Sequence, residues 1–167
     1  MVTDTTSLRA QAVLNELKKC GIEYIVWLPD SEARFMYDAI SQEKDLKLVQ
    51  VCREGEAFGV ATGLYLGGKE PVVLIQNTGM FESGDAIRGL ILGLKVPILI
   101  MVGYRGFRRD GPITDTAAIF TEPILDAWGI PHYTVETDAD MSYISQAHHE
   151  AKASGKPVAI LIAREYE

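Results

Sequence analysis

Glu54 and Glu56 stand two residues apart, where the apolar run at 46–51 gives way to the small-residue string EGEAFGVATGLYL. A carboxylate there can complement the positive end of a helix dipole, or it can hold and pass a proton to a bound ligand. Ala57, Gly59, Ala61 and Gly63 add little bulk, so another backbone or a ligand can approach this segment closely. Glu56 reads as part of a solvated face, and spacing alone leaves both roles open for Glu54. Asp30 and Ser31 follow Leu28-Pro29, and their oxygens can cap a helix, touch a substrate, or do both. Gln76, Asn77, Thr78 and Gly79 follow an apolar run and can close a turn. Arg105, Arg108 and Arg109 lie in a glycine-rich stretch, where an ordinary surface cation is the commoner fate. His132, His148 and His149 lack metal-ligand spacing, and no metal site is expected in this chain.

The elements that must position these residues alternate along the chain. Strands are expected at 23–28, 46–51, 72–76, 97–102, 132–135 and 158–163. Helices are expected from the Thr5/Thr6/Ser7 cap to Gly21, then at 32–42 (capped by Ser31), 54–66, 82–94, 117–128 and 138–153. The 54–66 helix should turn Ala57, Val60, Ala61 and Gly63 inward, and 104–116 should be a loop. Strands separated by helices of crossover length argue for an α/β fold, a doubly wound, six-stranded parallel sheet with helices on both faces. No linker or repeat interrupts it, so residues 1–167 read as one domain. In such sheets ligands bind outside the carboxyl ends of the strands. Those ends are Pro29-Asp30-Ser31, Cys52-Arg53-Glu54, Gln76-Asn77-Thr78-Gly79 and Gly103-Tyr104-Arg105-Gly106.

Composition narrows the class. At 47% apolar and 23% charged residues the chain can bury a core, which excludes a disordered protein. A net charge of −7 without a Lys/Arg block gives nothing to recruit nucleic acid or an anionic membrane. The longest apolar runs, such as 96–102, are too short to span a bilayer, and residues 1–7 lack the apolar core of a secretory signal. Cys20 and Cys52 are expected as free buried thiols, and the chain as a cytoplasmic protein.

Four stretches carry a family resemblance. Glu54 followed by Ala57, Ala61 and Gly63 resembles the pyrimidine-binding domain of thiamine-diphosphate enzymes, in which a Glu has Ala at the third and seventh places and Gly at the ninth. That register selects Glu54 over Glu56. The segment from Gln76-Asn77-Thr78-Gly79 through Gly84, Ala86 and Leu90 to 96–99 resembles the strand-loop-helix-strand that follows in the same domain. Leu28-Pro29-Asp30-Ser31 is similar to the G-x-P-D-S loop of the sulfopyruvate and phosphonopyruvate decarboxylases, with Trp27 where Gly or Val is usual, and Gly103-Tyr104-Arg105-Gly106 is similar to their G-[WY]-R-G. The resemblance implies a 2-oxo acid decarboxylase of the coenzyme M type that releases CO₂ and an aldehyde. It implies that the Glu54 carboxyl, hydrogen-bonded to the cofactor's pyrimidine, favours the tautomer that deprotonates the thiazolium carbon. It further implies that Gln76, Asn77, Thr78 and Gly79 contact the cofactor, while Asp30, Ser31 and Arg105 position a small anionic 2-oxo acid, guanidinium forks suiting a carboxylate or sulfonate.

Two departures matter. The Asp-x-Pro-x-His segment after G-[WY]-R-G is replaced by Arg109-Asp110-Gly111-Pro112-Ile113-Thr114, without a histidine. The family's Gly-Asp-Gly…Asn motif for diphosphate and Mg²⁺ is also missing, as are a Walker loop and a G-x-G-x-x-G after a strand. The resemblance therefore implies that a beta subunit supplies Mg²⁺ and the diphosphate site, that thiamine diphosphate is shared across the interface, and that the active species is a hetero-oligomer. The alternatives are half of a different thiamine-diphosphate decarboxylase or carboligase, or a non-catalytic regulatory or binding module of the same fold.

Overall fold

A computed structural model of the protein describes residues 7–163. From the amino end, helix α1 (Ala10–Lys19) leads to strand β1 (Tyr24–Trp27), a 3-10 turn (Arg34–Met36) that runs into α2 (Tyr37–Gln42), and β2 (Lys47–Gln50). Next come α3 (Glu54–Leu66), β3 (Pro71–Gln76), α4 (Asn77–Glu82), the short α5 (Gly84–Ala86), a π-helical segment (Ile87–Leu92) and β4 (Leu99–Gly103). The chain continues with α6 (Ala117–Trp128), β5 (His132–Val135), a 3-10 turn (Asp138–Asp140), α7 (Ser142–Ser154) and β6 (Val158–Ile162).

The six strands form one parallel sheet in the order β2-β1-β3-β4-β6-β5. Side chains alternate across a strand, and the burial follows that period. Ile25, Trp27, Val72, Leu74, Leu99 and Met101 pack on one face with Leu14 and Leu17 of α1, Ile40 of α2 and Ile144 of α7. Val26, Val73, Ile75, Ile100 and Val102 pack on the other with Ala57 and Phe58 of α3, Met80 of α4, Ile87 and Leu125. Every residue of β4 and β6 is buried, as an unbroken apolar strand requires when both sheet faces are covered. The expected doubly wound parallel architecture is what forms.

Several local expectations give way to neighbours that the sequence does not reveal. Thr5 and Thr6 lie outside the described residues, and Ser7 makes no cap; the amide of Arg9, at the N-cap position of α1, instead donates to Asp138 Oδ1 (2.9 Å). Ser31 does not cap the second helix either. Asp30 Oδ1 accepts from the Ala33 amide (2.9 Å), a turn made by the aspartate itself, and regular α-helix begins only at Tyr37. In α3 the buried residues are Ala57, Phe58, Ala61 and Thr62, so Val60 and Gly63 face outward rather than inward. A helix takes the place of the turn that 76–79 could close: α4 starts at Asn77, directly off β3 and ahead of the helix expected from 82. Cys52 is exposed beyond the edge strand β2, and Cys20 is partly buried; both are free thiols.

Candidate active site

Four connections leave the carboxyl edge of the sheet side by side, after β2, β1, β3 and β4. At the first, Arg53 is extended and Glu54 opens α3. Glu56 Oε2 accepts the Cys52 amide (3.0 Å), so Glu56 closes the helix start on itself. Glu54 points elsewhere, across to α4. A Cβ on Gly79 would stand 2.7 Å from Glu54 Oε1 and 2.8 Å from its Cδ, so only glycine leaves room for that carboxyl. Thr78, beside it, is partly buried, and the rim is closed by an ion pair between Arg53 and Glu82. Geometry thus gives the two carboxylates different partners, in line with the register that selects Glu54.

After β1, both oxygens of Asp30 are engaged: Oδ1 with Ala33, and Oδ2 with the indole N–H of Trp27 (3.2 Å). Asp30 thus makes a local turn contact of the kind its position offers. Ser31 is exposed, its hydroxyl 3.5 Å from Glu32 Oε1. Glu32, which the sequence did not single out, lies over the end of β4: a Cβ on Gly103 would meet Glu32 Cβ at 2.6 Å and the Gln76 backbone at 3.7 Å. Burial pushes the Glu32 carboxyl above the ordinary carboxylate range, Asp30 adds to the rise, and Arg105 opposes it.

After β3, Gln76 Oε1 is buried without a hydrogen-bond partner. Asn77 was expected to line the reaction centre, but its side chain is fully buried, with both N–H donors taken by Arg105 O (3.0 Å) and Thr121 Oγ1 (3.0 Å) and its oxygen taken by the Thr78 amide (3.0 Å). A helix starting directly after β3 turns that side chain toward α6, where it ties the strand end to the 104–116 loop.

That loop is pinned at its base. Arg105 Nε donates to Asp115 Oδ2 (2.8 Å), the Thr114 amide donates to Gly106 O (3.1 Å), and Tyr104 stacks on Phe107 with ring centres 4.6 Å apart. Gly106, at φ +86°, packs so tightly on Asp115 that a Cβ would stand 2.6 Å from the aspartate's own. The Ala117 amide holds the Asp115 carboxyl below its ordinary range, with help from Arg105. Tyr104 donates to Glu122 Oε1 (2.8 Å), and burial together with that carboxylate raises the phenol well above its usual range. Arg109 bonds Glu136 Oε1 (2.7 Å), just past β5. Among the described residues no group of three His, Cys, Asp or Glu side chains is placed to hold a metal ion.

Glu32, Glu82, Asp115 and Thr121 were not foreseen. Asp115 carries a usable signal, a carboxylate two residues before an apolar helix; Glu32 carries none, because its partner surface is assembled by strands 40 and more residues away.

A parallel sheet in this order, with a glycine-cradled carboxylate and an orphaned amide oxygen at its carboxyl edge, defines a doubly wound ligand-binding domain. Residues 9–119 match the model of the thiamine pyrophosphate enzyme N-terminal TPP-binding domain, and the chain belongs to that family. It is 30% identical over 155 residues to the sulfopyruvate decarboxylase subunit alpha of Methanococcus maripaludis, covering 92% of this chain and 93% of the relative. It is likewise 30% identical to the subunit alpha of Methanocaldococcus jannaschii, over 90% of each chain. A phosphonopyruvate decarboxylase of Streptomyces hygroscopicus is more distant, 24% identical over 59% of this chain and 25% of its own length. The resemblance found at Glu54 and at the sheet-edge loops thus identified the family.

Proposed function

We propose that residues 1–167 form the pyrimidine-binding subunit of a thiamine-diphosphate-dependent decarboxylase that converts a 2-oxo acid to an aldehyde and CO₂. The observation that carries this reading is Glu54 Oε1 held over Gly79, while Glu56 is occupied at the helix start. The residues fit the cofactor on two counts: a carboxyl in a cradle that any Cβ would fill, and a buried Gln76 oxygen awaiting a donor. Bound thiamine diphosphate supplies the nucleophilic carbon and the electron sink of decarboxylation. Glu54 would hold the cofactor's pyrimidine by a hydrogen bond and so supply the acid–base relay, and Gly79 keeps the approach open. Gln76 offers its oxygen to the reaction centre; Asn77 is a positioning residue that fixes the loop bearing Arg105. Ser31 and Arg105 border the substrate end.

Diphosphate and Mg²⁺ belong, on this reading, to a beta-type partner. The names of the subunit alpha relatives support a divided enzyme. So does the outer side of α3, the helix that Glu54 opens, where Val60 and Leu66 are exposed and the backbone of Gly63 is open. Reconstitution with a diphosphate-binding partner, thiamine diphosphate, Mg²⁺ and a panel of 2-oxo acids tests the reading. Aldehyde should form, and Glu54→Gln should cut kcat by about 10²–10⁴, the span of a lost proton-transfer group. A folded complex that releases no aldehyde from any acid would favour a binding module instead.

A further inference from the structure

We propose that the amino edge of the sheet, opposite the edge that carries Glu54, holds a second binding site, one for a small aromatic carboxylate. The inference stands apart from the decarboxylase reading and uses none of the residues that reading assigns.

The site is a cavity of about 280 Å³ walled by Leu92, Lys95, Trp128, Lys156 and Pro157. Three segments enclose it: the end of the π-helical stretch, the end of α6, and the turn from α7 into β6. β4 and β6 begin just after it, at Leu99 and Val158, whereas Glu54 and Gly79 follow the carboxyl ends of β2 and β3. Its size falls just under the range of pockets for drug-sized ligands and suits one ring with a short substituent.

The wall is rich in donors that the protein itself does not use. Trp128 is half-buried, and a Cβ on Gly84 would stand 3.5 Å from its Cζ2, so α5 backs part of the indole. Its N–H meets no acceptor among the described residues, unlike that of Trp27, which Asp30 holds. Lys95 and Lys156 are exposed, and neither ammonium has an ion-pair or hydrogen-bond partner among the described residues. No Asp or Glu lines the cavity, although the chain carries a net charge of −7. Cationic donors without a competing carboxylate favour an anion. The indole, Leu92 and Pro157 favour a flat apolar body beside that charge.

Lys95 adds an independent mark. At φ +54° it is the non-glycine residue that holds a left-handed backbone among the described residues. Glycine takes that conformation at lower cost, as Gly129 and Gly155 do at the ends of α6 and α7. A lysine in such a place points to work done by its side chain. The competing role is complementing the carbonyls of a helix end, and it makes the opposite prediction for Lys95→Gly.

The test titrates the full chain with benzoate, and with benzamide and acetate as probes that lack the charge or the ring, following tryptophan emission. Trp128 gives the signal, because Trp27 is fully buried. Benzoate should bind at least about tenfold more tightly than either control. Lys95→Gly and Lys156→Gln should each weaken it by about tenfold, the scale of one charge-assisted hydrogen bond. Lys95→Gly should keep or raise Tm, and benzoate should shift the amide resonances of 92–95, 128–129 and 154–157. Equal affinity for the three probes, shifts centred on Glu54 and Gly79, or lysine variants that bind as wild type does would overturn the proposal. A lowered Tm for Lys95→Gly with affinity intact would overturn it too, giving that lysine to the helix end. Lys156→Gln, outside the left-handed turn, decides the matter if Lys95→Gly fails to fold.

Discussion

Single side chains at the sheet edge owe their chemistry to what stands opposite them. Glu54 owes its position to the missing side chain of Gly79. Gly79→Ala should push the Glu54 carboxyl away and lower turnover toward that of Glu54→Gln. Stability should change little, since alanine gains about 1 kcal/mol of helix propensity in α4 against the local crowding. Kinetics set beside thermal unfolding of the same variant would expose an error: normal turnover would mean that the cradle does not matter. Glu32 makes a second residue-scale prediction, with its sign set by linkage. Its folded pKa lies above the ordinary value, so the folded state holds the proton longer and stability falls as pH rises through that range. Glu32→Gln should accordingly raise Tm near neutral pH, and the gain should vanish below the ordinary carboxylate range. A variant less stable than wild type at neutral pH would contradict this.

At the scale of elements, the 104–116 loop is held through one buried amide. Asn77 joins β3 and α4 to Arg105 O and, through Thr121, to α6. Asn77→Ala leaves the buried Thr121 hydroxyl and the part-buried Arg105 carbonyl without that donor, a loss of about 1–3 kcal/mol for the buried group. Faster amide hydrogen exchange across 104–116, with β3 and β4 unchanged, is the expected signature; protection equal to wild type would refute the tie. The same elements show why some assignments could be read in advance. The bounds of α3 and α6 follow from glycine stops and apolar spacing, both local signals. The cap of α1 comes from Asp138, more than a hundred residues away, and α4 begins without a turn because a helix can follow directly on a strand when neighbours fix its direction.

For the whole molecule, the question is which surface meets a partner. Leu66 is 69% exposed and Val60 36% exposed on the outer side of α3, the helix that Glu54 opens. Leu66→Glu should leave the stability of the isolated chain within about 0.5 kcal/mol of wild type, as exposed substitutions do. It should weaken assembly with a diphosphate-binding partner, read as a lighter species in sedimentation velocity. Undiminished assembly would move the interface off this face. No helix among the described residues is long and apolar enough to cross a membrane.

The alternation of strands and helices, the parallel doubly wound sheet and, through the register of Glu54 with Ala57, Ala61 and Gly63, the family were legible in the linear chain. These rest on signals carried within a few residues: hydrophobic period, helix stops and motif spacing. The packed fold alone reveals the glycine opposite Glu54, the ties of Asp30 and Asn77 into the scaffold, and the position of Glu32 over the end of β4. Each of these depends on a partner from a distant strand or helix. What a polar side chain can do is settled by the groups already bonded to it, and a linear chain does not say which groups those are.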